Sequence, residues 1–316
     1  MKMADAPAAR PVAATSRKAA PSMHRIRVLM AAGAAALLIV ALSVFGWDYY
    51  TMPLELRPFS PKHELLRPSG TIGLNLGIVG VVLFVIIFLY ALRKAIPWLG
   101  RFGTAKHWMD FHVVAGVTAP VVIAFHASFK FNNIAGAAFW VMLAVALSGI
   151  VGRYLYAQIP RSIGAAAITY RELQGLESEL AETLRSQKLY PSGPIERIFR
   201  MPGAEHIRNS SMVMILLEML LLDLSRPWRV ASLRRQGMRF SALMMTLGGL
   251  LSTRRPEVEE IVAVVRRKAL LTKRMLFLDR AQRIFHLWHV VHRPFSYAFV
   301  VLALIHIINA IRLGYF

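Results

Sequence analysis

Long apolar runs without charge alternate along the chain with segments in which the charged residues are concentrated. Five of these runs approach the roughly 20 residues that a helix needs to cross about 30 Å of hydrocarbon. They cover residues 28–46, 71–92, 111–129, 133–152 and 294–311. We expect the last helix to begin earlier, near Phe285. The pattern predicts an all-α integral membrane protein with about five transmembrane helices.

The first apolar run follows a basic leader, as the core of a secretion signal would. Residues 45–50, however, read Phe-Gly-Trp-Asp-Tyr-Tyr and offer no small-x-small cleavage site. We therefore expect a retained helix, with Trp47, Tyr49 and Tyr50 in the aromatic belt at the membrane–water interface.

The chain is expected to fall into four parts. Residues 1–27 are rich in Ala, Pro, Ser and basic residues and are predicted to be disordered. Residues 28–157 hold the first four transmembrane helices, with a tight turn at 128–132 between the third and the fourth. Residues 158–283 form a helical cytoplasmic insertion, and residues 284–316 add the fifth helix.

The insertion contains three candidate helices. Residues 165–186 are strong helix formers, and the Pro-Ser-Gly-Pro sequence at 191–194 ends that helix. Another helix is predicted to begin at Pro256, because proline suits a first turn and acidic residues follow it. Residues 212–224 are apolar but too short to span. A buried helix of a cytoplasmic bundle is the preferred interpretation, and an in-plane interfacial helix is the alternative.

Positive charge follows the same alternation. The net charge is +21, and basic residues predominate in segments 1–27, 93–106 and 158–283, whereas residues 48–70 carry three bases and three acids. By the positive-inside rule the N-terminus and the basic segments are cytoplasmic and Phe316 lies outside. We expect a multi-pass protein of the cell inner (plasma) membrane, surrounded by membrane lipid. Orientation and anionic lipid account for the charge, so no nucleic-acid partner is expected.

The chain contains no cysteine. This excludes disulfides, thiol catalysis, cysteine-ligated iron–sulfur clusters and covalently attached c-type haem. Any redox cofactor must therefore be held by other ligands.

Four histidines lie inside the predicted membrane helices, where ionisable side chains are costly and indicate function. His112 and His126 lie on the third helix and His292 and His306 on the fifth, and each pair is fourteen residues apart. Fourteen residues fall about 40° short of four turns and rise about 21 Å, so both members of a pair share one helix face. The two helices run parallel, which places His112 level with His292 and His126 level with His306. Facing imidazoles at each level predict two non-covalent b haems with two axial histidines each.

Nearby small and basic residues fit this prediction. Gly116, one turn beyond His112, gives a flat ring room to approach the backbone, and Gly149 and Gly152 offer similar room on the fourth helix. Cations near the two levels are candidate partners of haem propionates, although each is equally compatible with an ordinary interfacial charge. These are Arg153, Arg293 and Lys106 at the inner level and Lys130 at the outer level.

The six remaining histidines are expected to be structural or solvated. His289 lies about 100° off the face of His306. His286 and His107 are placed near the inner interface, and His24, His63 and His206 lie outside the spans.

The matched histidine pairs give residues 107–157 and 284–311 a resemblance to the haem-binding core of two-haem membrane b cytochromes. The topology resembles that of the ferric reductase and NADPH oxidase transmembrane superfamily, in which helices three and five carry the ligands. The resemblance implies that His112, His126, His292 and His306 are axial ligands. The family's sixth helix is absent from this sequence, and no Gly-x-Gly-x-x-Gly motif of its flavin and nicotinamide domains occurs. The resemblance therefore implies only a transmembrane path for electrons, and not the complete reaction of the family.

The leading functional hypothesis is transmembrane electron transfer, in the membrane cytochrome subunit of an oxidoreductase complex. The donor is expected on the cytoplasmic side, as a partner reductase subunit or quinol, and the acceptor outside. One alternative is a cytochrome b subunit that itself oxidises quinol or reduces quinone. The other is a haem-free membrane scaffold or transporter whose basic domain binds a partner.

Overall fold

The computed structural model describes residues 23–159, eight residues between 171 and 182, residues 202–236 and residues 256–314. The predicted leader up to residue 22, most of the predicted helix at 165–186 and the 191–194 breaker lie outside the described residues. Residues 23–27, predicted as part of the disordered leader, are instead helical. The chain divides into two compact units, Met1–Phe139 with Ala310–Phe316, and Trp140–Asn309.

All regular elements in the described ranges are helices. In chain order they are α1 (Met23–Thr51), a 3-10 turn (Arg57–Phe59), α2 (His63–Leu66), α3 (Thr71–Ala95), α4 (Pro97–Gly100), α5 (Ala105–His126), α6 (Asn133–Gln158), α7 (Ala204–Asn209), α8 (Met212–Gln236) and α9 (Pro256–Arg312).

Five helical segments of the described chain are long and apolar enough to cross a membrane: Met23–Thr51, His63–Arg93, Ala105–His126, Asn133–Gln158 and Val258–Arg312. They overlap the five predicted runs, so the predicted fold class, an all-α multi-pass membrane protein, is confirmed. Each helix extends into interfacial residues at one end of its apolar run or at both. α5, however, ends at His126, before the predicted end of its run at residue 129.

The core of the first unit lies where α1, α3 and α5 meet. Leu42, Leu76, Val122 and Phe125 form its buried cluster. The helices come close together because α3 presents glycine: a Cβ at Gly80 would lie 2.3 Å from Cδ1 of Ile123 on α5. Without a hydrophobic drive between helices in lipid, such close packing supplies much of their association.

A buried arginine fixes the turn that follows α5. The Arg57 side chain is 5% exposed. It donates hydrogen bonds to the carbonyl oxygens of Met52 at 3.0 Å, Tyr50 at 2.8 Å and Ser128 at 2.5 Å. Ser128 has a φ of 48° and Phe129 one of 58°. The predicted tight turn is present at this point, and its two left-handed residues are held by Arg57 and by a 2.6 Å bond from the Ser128 hydroxyl to the Leu66 carbonyl.

The second unit packs the C-terminal part of α6 with α7, α8 and α9. One buried cluster joins Ile215 and Met219 of α8 to Phe277 and Ala281 of α9. A second joins Val230 and Leu233 of α8 to the start of α9, including Ile261 and Val265. α9 begins at Pro256, as predicted, and continues without interruption into the fifth span. Its 57 residues correspond to about 85 Å. The expected start of the last helix near Phe285 is therefore wrong, because the fifth span is the second part of α9.

The apolar segment 212–224 belongs to the longer helix α8. Its Ile215 and Met219 are fully buried, whereas Val213, Leu217 and Leu221 are 69%, 48% and 60% exposed. The preferred interpretation of a buried bundle helix therefore holds for one face only. The sequence is apolar on both faces at this point, so periodicity could not show which face is packed.

Candidate functional site

Two of the four predicted ligands lie on α5 in the first unit. Nδ1 of His112 lies 3.0 Å from the carbonyl oxygen of Ile87, and Nδ1 of His126 lies 2.8 Å from that of Gly73. Because a carbonyl oxygen can only accept, both Nδ1 atoms carry the proton and both lone pairs lie on Nε2. This is the tautomer that a histidine needs in order to ligate a metal through Nε2, and a partner on the other ring nitrogen is the usual way of fixing it.

The two carbonyl partners repeat the spacing of the histidines. Gly73 and Ile87 are fourteen residues apart on α3, as His112 and His126 are on α5. Since α3 runs antiparallel to α5, the first carbonyl meets the second histidine and the second carbonyl meets the first. One packed helix thus orients both imidazoles, about 21 Å apart, in the same way.

Glycine makes room for the imidazole of His126. A Cβ at Gly77 would lie 2.8 Å from Cε1 and 3.0 Å from Nδ1 of His126. The His126 ring therefore rests on the backbone of α3. Near the other end of α5, the ring centroids of Tyr90 on α3 and His112 are 5.2 Å apart. A Cβ at Gly116 would meet nothing within 4 Å, and the role of Gly116 toward a haem ring stays a prediction.

His292 is oriented by α6 in the second unit. Its Nδ1 lies 2.8 Å from the hydroxyl oxygen of Ser148. That hydroxyl donates its proton to the carbonyl oxygen of Val145 at 2.8 Å, so it accepts from Nδ1–H of His292. The lone pair of His292 is again on Nε2. His306 lies half-buried on the same helix, fourteen residues further on.

Trp288 packs beside His292 and fills the space at Gly152. Its indole N–H donates to the Ser148 carbonyl at 2.8 Å, and its ring stacks on His292 with centroids 4.6 Å apart. A Cβ at Gly152 would lie 2.2 Å from the indole. The room expected at Gly152 for a haem is therefore occupied by Trp288, because the close approach there serves the α6–α9 contact. At Gly149 a Cβ would lie 3.8 Å from Cε1 of His292.

The candidate propionate partners lie at the ends of the spans. Lys130 is exposed just after the turn that follows α5, Lys106 is exposed in the first turn of α5, and Arg153 is partly buried on α6. Arg293 is exposed beside His292 and lines a shallow groove with His286 and His289. Their role toward haem stays a prediction.

The other histidines make local contacts. Nδ1 of His289 lies 3.2 Å from the carbonyl oxygen of Phe285, four residues earlier on α9. In the first unit His24 stacks on His107 with ring centroids 3.8 Å apart, and its Nε2 lies 3.1 Å from a carboxylate oxygen of Asp110. Nδ1 of His63 lies 3.1 Å from the Tyr49 hydroxyl oxygen. Nε2 of His206 lies 2.6 Å from a carboxylate oxygen of Glu218.

Within the described residues no three His, Asp or Glu side chains are grouped so that they could hold a metal ion. A haem iron needs only two protein ligands, because the porphyrin supplies the other four. The fit of this cofactor is therefore judged from the donor atoms of the oriented imidazoles. Neutral rings with Nδ1–H anchored and the lone pair on Nε2 fit an axial ligand. No family model, no curated protein and no solved structure matches this chain.

Sequence reasoning missed the residues that orient the ligands. The carbonyl groups of Gly73 and Ile87 carry no side-chain signal. The spacing of Gly73, Gly77 and Gly80 on one helix did offer a signal for close helix packing. Ser148 is one of several hydroxyls in the spans, and its pairing with His292 depends on the register of α6 against α9.

Proposed function

We propose that this protein is a two-haem b-type membrane cytochrome that carries electrons across the bilayer. The observation that supports the proposal best is that His112, His126 and His292 each have Nδ1 engaged and the lone pair on Nε2. Three intramembrane histidines anchored in this way would be a costly arrangement without a bound metal. With His306 they form the two pairs at fourteen-residue spacing.

When bound, each haem would supply a reversible one-electron couple. The chain's residues would hold and tune it. His112 and His292 would ligate an inner haem, and His126 and His306 an outer haem, a pairing that follows from the predicted parallel course of the third and fifth spans. The Ile87, Gly73 and Ser148 oxygens would fix the ring planes and raise the basicity of Nε2. Lys130 would be available to outer propionates, and Arg153 and Arg293 to inner ones.

The proposed direction is from a donor on the cytoplasmic side to an acceptor outside, in the inner (plasma) membrane, with the N-terminus cytoplasmic and Phe316 outside. The charge alternation along the sequence supports this orientation. A donor subunit would meet the basic insertion, where Arg266 and Arg267 are exposed on α9. Complementary charge would speed and orient that encounter. The resemblance to the ferric reductase and NADPH oxidase group supports the same conduit.

Quinol is the alternative donor, and one observation favours it. A groove of about 640 Å³ beside α9 is lined by Phe285, His286, His289, Arg293 and Tyr297. Polar groups that converge on an apolar groove suit a quinol headgroup. Quinol reduction of the purified protein, blocked by His289→Leu, would favour this alternative over a partner reductase.

The haem content of the purified protein tests the proposal. A b-type cytochrome would give a red membrane fraction and, after dithionite reduction, the α band of b haem, with two haems per chain. A colourless protein that binds no added haem would contradict the proposal and leave the alternative of a haem-free scaffold or transporter.

A further inference from the structure

α8 carries an exposed apolar stripe that nothing in the proposed electron path uses. Its members recur at helical spacing, so they cover an arc of about 120° on one side of the helix. They are all between 48% and 69% exposed: Val213, Met214, Leu217, Leu220, Leu221, Leu224 and Trp228. An apolar surface of this extent is rarely left in water.

The opposite face of α8 is fixed against the protein. Ile215 and Met219 are fully buried against Phe277 and Ala281 of α9. α8 therefore cannot rotate the stripe inward without exposing these residues. The stripe belongs to the outer surface of the second unit.

Hydrogen bonds tie the stripe to the end of a membrane span. Asp223, between Leu220 and Leu224 on α8, accepts from the Tyr154 hydroxyl at 2.8 Å and from the Gln158 amide at 3.3 Å. Tyr154 and Gln158 lie in the last two turns of α6, a span that ends at Gln158. The middle of the stripe is thus within a helical turn or two of the level at which α6 leaves the hydrocarbon.

Charged groups lie within α8 beside the stripe and at its end. Glu218, next to the stripe on the helix surface, pairs with His206 of α7 at 2.6 Å. Arg226 and Arg229 lie on either side of Trp228, the last member of the stripe. Charges at these positions make α8 unsuited to cross the bilayer. Apolar residues on one side, with tryptophan and arginine at the edge, are typical of a helix that rests at the headgroup–acyl boundary.

We propose that α8 seats its apolar stripe in the lipid leaflet at which α6 ends. α7, α8 and the beginning of α9 then lie at the membrane surface, held there by α8 as well as by the spans on either side of them in the chain. This inference concerns lipid contact only, so it holds whether or not the protein binds haem.

The absence of cysteine makes single-cysteine labelling direct. A polarity-sensitive fluorophore is attached at Leu217→Cys or Leu221→Cys in the full chain reconstituted into liposomes. Leu147→Cys, 56% exposed on α6, is the lipid-facing control, and Arg266→Cys, exposed on α9, is the aqueous control. Brominated phospholipid should quench both stripe labels to within about twofold of Leu147→Cys, and aqueous iodide should quench them several-fold less than Arg266→Cys.

Two results would overturn the proposal. Iodide quenching as strong as at Arg266→Cys, with no effect of brominated lipid, would place the stripe in water. Protection from both quenchers would mean that protein covers it; disulfide-linked dimers of unlabelled Leu221→Cys would then identify a second copy as the cover. Leu217 and Leu221 are both surface positions. If one of the two variants fails to reconstitute, the label at the other position decides between these outcomes.

Discussion

The imidazole of His126 rests on the Cα of Gly77, so that a Cβ at position 77 would lie 2.8 Å from the ring. The same ring is held by the Gly73 carbonyl at 2.8 Å. It cannot move away from position 77 without losing that bond. The contact makes position 77 a determinant of where Nε2 of His126 points.

Gly77→Ala should therefore disturb the outer haem selectively. The added methyl would displace the ring, and losses of orienting contacts typically cost about tenfold or more in metal-site affinity. Haem content should fall from two towards one per chain, with the inner haem retained. Gly33→Ala is the matched control, because a Cβ at Gly33 meets nothing within 4 Å. Equal haem content in both variants would show that the Gly77 contact has no role in ligation.

Ser148 gives the corresponding prediction for the inner haem. Ser148→Ala removes the acceptor of the His292 Nδ1–H but leaves the backbone carbonyl that binds Trp288. The inner haem should bind about tenfold more weakly and its midpoint potential should shift, because the ligand loses basicity and orientation. Ser148→Thr, which keeps a hydroxyl, should restore the wild-type potential. A shift in the outer haem alone would contradict the assignment.

The sequence predicted the fold far better than it predicted the hydrogen-bond partners of the candidate ligands. An uncharged run of membrane length can cross lipid only as a helix or within a closed barrel, so the five spans and the turn after His126 could be placed from hydropathy. Backbone carbonyls are invisible to such reasoning, and so were the partners of His112 and His126. Gly152 was misjudged because a small residue admits either a cofactor or a neighbouring ring, and only packing shows that Trp288 occupies the space.

The ion pair between Asp223 and Lys273 should make stability depend on pH in the acid range. Burial alone would raise the pKa of Asp223, but hydrogen bonds from Lys273 and Tyr154 outweigh it and hold the pKa below the ordinary 3.8. The carboxylate's contribution is thus complete above that pH and is lost as the pH falls below it. Thermal unfolding in detergent should show a steeper loss of stability below about pH 4 in wild type than in Asp223→Asn.

At neutral pH the same pair predicts that single variants lose more stability than the double variant. Lys273 is 2% exposed, and removing one partner of such a pair costs about 3 kcal/mol or more because the other charge stays buried. Asp223→Leu and Lys273→Met should each be destabilised by about this amount. The double variant Asp223→Leu/Lys273→Met should recover most of the loss. Additive losses in the double variant would mean that the pair does not act as a unit.

The proposed orientation can be tested without haem. A reporter fused after Phe316 should read outside, and one inserted near residue 190 should read inside, because the basic segments are expected in the cytoplasm. Reporters on the same side of the membrane would contradict the orientation, because the account predicts a single span between residue 190 and Phe316.

The central claim is that four particular histidines hold two haems, and the most direct measurement is haem stoichiometry with redox titration of single histidine variants. His126→Ala or His306→Ala should remove the outer haem or make it high-spin, while the inner haem stays reducible from the cytoplasmic side. His112→Ala or His292→Ala should impair reduction of both haems by an inside donor, because the entry to the path is lost. His289→Ala should retain two haems, since His289 lies off the shared face. A wild-type protein with one haem or none, or a His289→Ala variant that loses a haem while His292→Ala keeps both, would contradict the account.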